Sequence, residues 1–67
     1  MEYRIEPPKF FRGTGVRFYG QNDGCRFGTI VLVETRYSHN HEAYHVYAIS
    51  QPGHRRRQWI SEENIFI

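Results

Sequence analysis

Phe27-Gly28-Thr29-Ile30-Val31-Leu32-Val33-Glu34-Thr35 is the stretch on which the fold depends. Rich in β-branched residues and bounded by polar turns, it reads as a strand. Ile30 and Leu32 fall on one face by simple alternation, Val31 and Val33 on the other, so both faces are apolar in the middle. One face belongs to a core and the other is expected to meet another subunit. Gly28 marks a bulge or a close approach of backbone.

Working outward, Val16 and Phe18 alternate with Arg17 and Tyr19 in an earlier strand that follows a turn bracketed by Gly13 and Gly15. Gln21-Asn22-Asp23-Gly24 is the turn that joins the two, because Asn, Asp and Gly tolerate positive φ. On the other side, Ser38-His39-Asn40-His41 is a polar loop, and Tyr44, Val46 and Ala48 alternate with His45, Tyr47 and Ile49 in a third strand. Gln51-Pro52-Gly53 turns the chain into a fourth strand, Arg55 to Ile60. Ser61-Glu62-Glu63-Asn64 carries the Ser cap and early acidic residues of one helical or 3₁₀ turn before a last strand, Ile65 to Ile67. The pattern predicts an all-β fold: a small five-stranded SH3-like barrel with one short 3₁₀ turn before the last strand, its closure removing the sheet edges. Pro7-Pro8 keeps residues 1–9 extended as an N-terminal arm, with Phe10 and Phe11 as anchors and residues 10–67 forming the barrel.

Sixty-seven residues make one domain with a modest core and exclude a multidomain enzyme. A single cysteine, Cys25, allows no intrachain disulfide and points to a reducing compartment. With neither an apolar leader nor a run long enough to span a bilayer, the expectation is a soluble cytoplasmic protein that does not bind membranes. The net charge is only +2, yet eight of the nine basic residues are Arg, the residue suited to planar recognition of phosphate, carboxylate and aromatic faces.

His41-Glu42-Ala43-Tyr44-His45 matches the H-E-x-x-H pattern of zinc hydrolases. That chemistry needs a helix to bring both His to one face. On the strand that the flanking alternation predicts, the two rings lie ~13 Å apart, beyond a shared metal. His39 and His41 read as a solvated loop, and Cys25 has no catalytic partner nearby in the sequence. No catalytic or metal-ligating set is assigned.

The densest functional stretch is His54-Arg55-Arg56-Arg57-Gln58-Trp59, which joins positive charge to a stacking ring. The expected binding surface consists of Arg55, Arg57, Gln58 and Trp59 with Tyr37 and Tyr47, and Tyr19 and Tyr44 are candidates to extend it. Such a surface suits a non-catalytic binding module for an anionic macromolecule, nucleic acid ahead of an acidic protein.

Phe11-x-Gly13 leading to Val16-Arg17, Gly28-x-Ile30-Val31, Tyr44-x-Val46, Pro52-Gly53 and Gln58-x-Ile60 resemble the plasmid-borne type II dihydrofolate reductases over most of the chain. The resemblance implies SH3-like barrels assembled as a homotetramer around a pore that holds NADPH and dihydrofolate. Of the family's pore-strand signature, Arg57-Gln58-Trp59-Ile60 carries Gln58. On that alternative, Gln58 and the backbone of Trp59 and Ile60 orient cofactor and substrate, and catalysis comes from holding hydride donor and acceptor together. A third expectation is a regulatory or structural subunit that docks on a larger protein through Ile30–Val33 or a sheet edge.

Overall fold

The computed structural model describes residues 6–20 and 24–67. Five antiparallel strands, β1 (Gly15–Tyr19), β2 (Cys25–Tyr37), β3 (Ala43–Ser50), β4 (Gln58–Ser61) and β5 (Ile65–Phe66), form one sheet in the order β4-β3-β2-β1-β5. A 3₁₀ turn, Glu62–Asn64, links β4 to β5. The fold is all-β and barrel-like. No helix among the described residues is long and apolar enough to cross a membrane.

β2 is longer than the apolar run predicts, because Cys25 and Arg26 pair with Tyr19 and Phe18 at one end while Arg36 and Tyr37 pair with Tyr44 and Ala43 at the other. Its first part serves β1 and its second part β3. Between them the register slips: Ile30 opposes Ile49 but Leu32 opposes Ala48, leaving Val31 as the extra residue of a bulge. An extra residue reverses the side-chain parity beyond it. Ile30 is therefore inside, Leu32 outside and Val33 packed against the core, which corrects the expectation that Ile30 and Leu32 share a face. On the outer face the run leaves Leu32 exposed.

Gly28 does mark a close approach, as expected. A Cβ there would overlap Ile49 Cγ2 and stand 2.8 Å from the Ser50 carbonyl oxygen. The turn residues Gln21, Asn22 and Asp23 lie outside the described residues, as do residues 1–5 of the arm. Gly13 has the positive φ of 91° that a side chain resists, and its N–H donates to the Ile30 carbonyl, which seats the entry to β1 on the middle of β2.

The core is Phe10, Val16, Phe18, Ile30, Tyr47, Ile49, Ile60 and Ile65, with each fully buried large side chain contributing about 1.5–3 kcal/mol. Phe10 anchors the arm by packing edge-on against Tyr47, with ring centroids 5.6 Å apart. Its neighbour Phe11 is exposed and anchors nothing. Glu6 and Lys9 also lie on the sheet: the Glu6 carbonyl accepts a hydrogen bond from His45 Nε2, and the Lys9 N–H donates to Glu62.

Two further details depart from the sequence reading. The fourth strand begins at Gln58 rather than Arg55, because β3 runs out at Ser50 and turns at Gly53 (φ 79°), so Arg55–Arg57 have no strand opposite and form the β3–β4 loop. The sheet also keeps two edges, since β4 and β5 pair inward with β3 and β1 while the 3₁₀ turn spans the gap between them. At four and two residues, those edges are too short to template aggregation readily. Ser61 occupies the cap position of the 3₁₀ turn without a side-chain capping bond.

Gly28→Ala is expected to destabilise the fold by at least ~2 kcal/mol, since the obstacle includes backbone. Gly15→Ala, whose Cβ meets nothing within 4 Å, should stay within about 0.5 kcal/mol of the parent. Urea denaturation of both variants checks the contrast.

Candidate functional site

Position along β2 gives a ruler for the molecule, because every strand except β5 is registered to it directly or through β3. The carboxylates among the described residues are Glu6, Glu34, Glu42, Glu62 and Glu63. Glu6, Glu34 and Glu42 lie at the hairpin end, the part of β2 from Glu34 onward, Glu6 being bonded to His45, which opposes Thr35; Glu62 and Glu63 line a concavity with hairpin residues but sit in the turn between Ser61, which opposes Val46, and Ile65, which opposes Phe18. Arg12, Arg17, Arg26, Arg55, Arg56 and Arg57 lie toward the other end, where the stretches of strand and the loop that bear them carry no Asp or Glu side chain among the described residues. Asp23, in the β1–β2 connection, is outside the described residues. Apart from Lys9 and Arg36, the charged side chains of the described residues are thus unevenly divided along the longest strand.

A concavity of about 860 Å³ opens among Glu6, Lys9, His41, Glu42, Glu62 and Glu63. Its lining repels anions. It also contains the H-E-x-x-H residues, but His41 sits in the hairpin turn with φ 62° whereas His45 is buried on β3. His45 uses both ring nitrogens: Nε2 donates to the Glu6 carbonyl at 2.5 Å and Nδ1 pairs with the Thr35 hydroxyl at 2.9 Å. A ring so occupied fastens the arm to the sheet and has no nitrogen left for a metal. Among the described residues no three His, Cys, Asp or Glu side chains converge to hold an ion.

The expected binding residues do not form one surface. Arg55 and Arg57 are exposed in the β3–β4 loop, Gln58 is half-buried at the start of β4, and Trp59 is on the outer face opposite Ala48. Tyr37 is exposed at the hairpin end, eight residues beyond Thr29, which opposes Ser50 where the arginine loop begins; at ~3.3 Å per residue that is roughly 26 Å away. Tyr47 is wholly buried, which removes it from any exposed stacking surface. Its hydroxyl donates to Glu62 Oε2 at 2.5 Å and accepts from the Phe10 N–H at 3.4 Å. Burial first, and then the Glu62 carboxylate, push the phenol up from 10.0 to about 12.

Two Arg–aromatic pairs occupy the outer surface. Arg36 lies over the Trp59 ring at 5.1 Å and is bonded through Nε to Glu34 at 2.8 Å, so this pair carries little net charge. Leu32 and Trp59 flank Ala48 from the two neighbouring strands, which accounts for the burial of that small residue on an outward face.

The second pair was not legible in the sequence. Arg17 lies over Phe27 at 5.5 Å, and Arg17 opposes both Phe27 on β2 and Phe66 on β5, giving the cross-strand row Phe66–Arg17–Phe27. Tyr19 packs on Phe66 with ring centroids 5.2 Å apart. Phe27 and Tyr19 remain 66% and 56% exposed, more than Trp59 at 43%. Beside this row a shallow, largely apolar concavity of about 280 Å³ runs between Phe27, Pro52 and Ile67, with Gly15 and Thr29 in its floor. Alternation does place Arg17 and Tyr19 outside. What it lacks is the register across the β1–β2 connection and the pairing of β5, which together assemble the row.

No family model matches the chain, and neither a curated protein nor a solved structure matches it.

The Tyr47 geometry predicts a pH dependence. An unfolded phenol loses its proton near 10 and the folded one near 12, so above pH 10 the unfolded state ionises first. The stability this group contributes is fully present below pH 10 and is lost as the pH rises toward 12. Tyr47→Phe should be less stable at neutral pH by about 1 kcal/mol and lack that alkaline loss. Denaturant titrations at stepped pH measure both.

Proposed function

We propose that this protein is a non-catalytic binding module, an SH3-like barrel in its meander of four strands with the fifth paired back to the first, and that its ligand is nucleic acid held at the arginine-rich end. The observation that supports the reading is the uneven charge among the described residues: Arg12, Arg17 and Arg55–Arg57 lie away from the hairpin with no Asp or Glu side chain on their strands or loop, while Glu6, Glu34, Glu42, Glu62 and Glu63 lie at the hairpin or line the concavity beside it. A chain of small net charge so divided presents one face that attracts phosphates and another that repels them, orienting an anionic polymer as it arrives. Arg55–Arg57, exposed on a loop that leaves no ladder bonds to satisfy, are free to follow a phosphate backbone.

Arg55, Arg56 and Arg57 replaced together by Gln should weaken oligonucleotide binding and flatten its salt dependence. Three lost phosphate contacts reduce the slope of log K against log salt by about 2–3. Fluorescence anisotropy between about 50 and 200 mM salt measures this. Binding of an acidic polypeptide with equal or greater affinity would replace nucleic acid by protein as the ligand. Affinity unchanged by salt would remove the reading.

A further inference from the structure

We propose that the outer face of β5, β1 and β2 is a base-stacking platform, so that the nucleic acid this protein takes is single-stranded. The inference rests on the nucleic-acid reading above and names its ligand.

The described outward residues of this face are Gly15, Arg17, Tyr19, Cys25, Phe27, Thr29 and Phe66. None is acidic. Phe66, Arg17 and Phe27 stand side by side in one row, and Tyr19 is the diagonal neighbour of Phe27, about 7–8 Å from it across an antiparallel pair. Aromatic rings left this open on a sheet offer flat apolar area and almost no hydrogen-bonding pattern. That is what an unpaired base needs, because its π-face is available, and what a duplex cannot use, because its bases are already stacked on one another. The guanidinium of Arg17 lies within the row rather than at its rim, where it both stacks on a base and meets the adjoining phosphate. The concavity beside Phe27 is just below the ~300–1,000 Å³ typical of ligand pockets and is largely apolar apart from Arg17, so it suits a planar ring that carries an adjoining anionic group.

Charge complementarity selects this occupant over a second copy of the chain. Pairing the face with itself about a two-fold axis would bring two Arg17 guanidinium groups into one interface, with no Asp or Glu side chain on the face to offset them. It also selects this face over the Trp59 patch, where Glu34 neutralises Arg36, whereas no Asp or Glu side chain stands on the Arg17 face. Pro52 lies in the concavity's wall and begins the loop that bears Arg55–Arg57, so phosphates leaving the platform meet those arginines.

The test is fluorescence anisotropy of a labelled single-stranded DNA dodecamer and of a duplex of the same length, with the full chain and with Phe27→Ala and Tyr19→Ala. Circular dichroism and size exclusion accompany each variant. Both positions are exposed, so folding should survive. The expected result is single-strand binding at least tenfold tighter than duplex, a loss of about five- to a hundredfold for the strand in either variant, and restoration by Phe27→Trp. Equal binding of strand and duplex, untouched by Phe27→Ala, would overturn the platform while leaving the arginine end as a nucleic-acid site. A parent dimer that Phe27→Ala converts to monomer would overturn it in favour of self-association. Failure of the parent to bind either probe would overturn both readings.

Discussion

The extra residue at Val31 is the constraint on which the rest of the structure depends. Antiparallel pairing permits one strand to serve two partners, but parity then dictates which side chains are inside along its whole length. Without the bulge, continuing from Ile30 would carry Leu32, Glu34 and Arg36 inward and leave Val33 and Thr35 to solvent. Two charges would enter a small core and His45 would lose the Thr35 hydroxyl that partners it. With it, Arg36 and Glu34 stand outside over Trp59 while Thr35 and His45 share the inner side and hold the Glu6 segment. The same slip increases the local bend of β2, allowing β1 and β3 to pair with different parts of one strand. Gly28 complements it nearby, where any side chain would displace Ile49 and the Ser50 backbone.

The succession of five strands along the chain and most element centres could be read from the sequence because alternation and turn chemistry agree there. Val16–Phe18 against Arg17–Tyr19 is unambiguous, and Pro52-Gly53 gives a turn. The bulge could not be read, since Ile30-Val31-Leu32-Val33 is apolar at every position and parity leaves no mark in it. The third strand hides its inner face for the same reason: Val46 and Ala48 are as buried as Tyr47 and Ile49, one pair by flanking side chains and the other by the core. Tyr47 and Tyr44 are therefore alike in sequence, yet one is a core residue bonded to Glu62 and the other faces outward.

For the site, the arginine run was visible as composition, whereas its surroundings required register. Arg55–Arg57 were expected on a strand, where alternate residues would have been divided between two faces. As a loop, all three are exposed together at the end of the sheet. Phe66, Arg17 and Phe27 are separated by long stretches of chain and become neighbours only through the two pairings of β1. Local pattern reports periodicity, and a surface assembled from three strands is a long-range property.

The acidic end gives the partition its mechanical sense. Glu62 receives the Tyr47 hydroxyl from within the core and the Lys9 N–H from the incoming chain, so one carboxylate ties the buried ring, the N-terminal segment and the 3₁₀ turn together. His45 repeats the arrangement one strand position away from Val46, holding Glu6. The Glu62 carboxylate thus has a structural task, while Glu6 is held through its backbone carbonyl and leaves its side chain to add negative charge beside the concavity. At the opposite end the row Phe66–Arg17–Phe27 stands on regular pairs of β1 and Arg55–Arg57 on a loop. A rigid sheet presenting exposed rings needs little reordering to accept a ligand, which keeps the entropy cost of binding low.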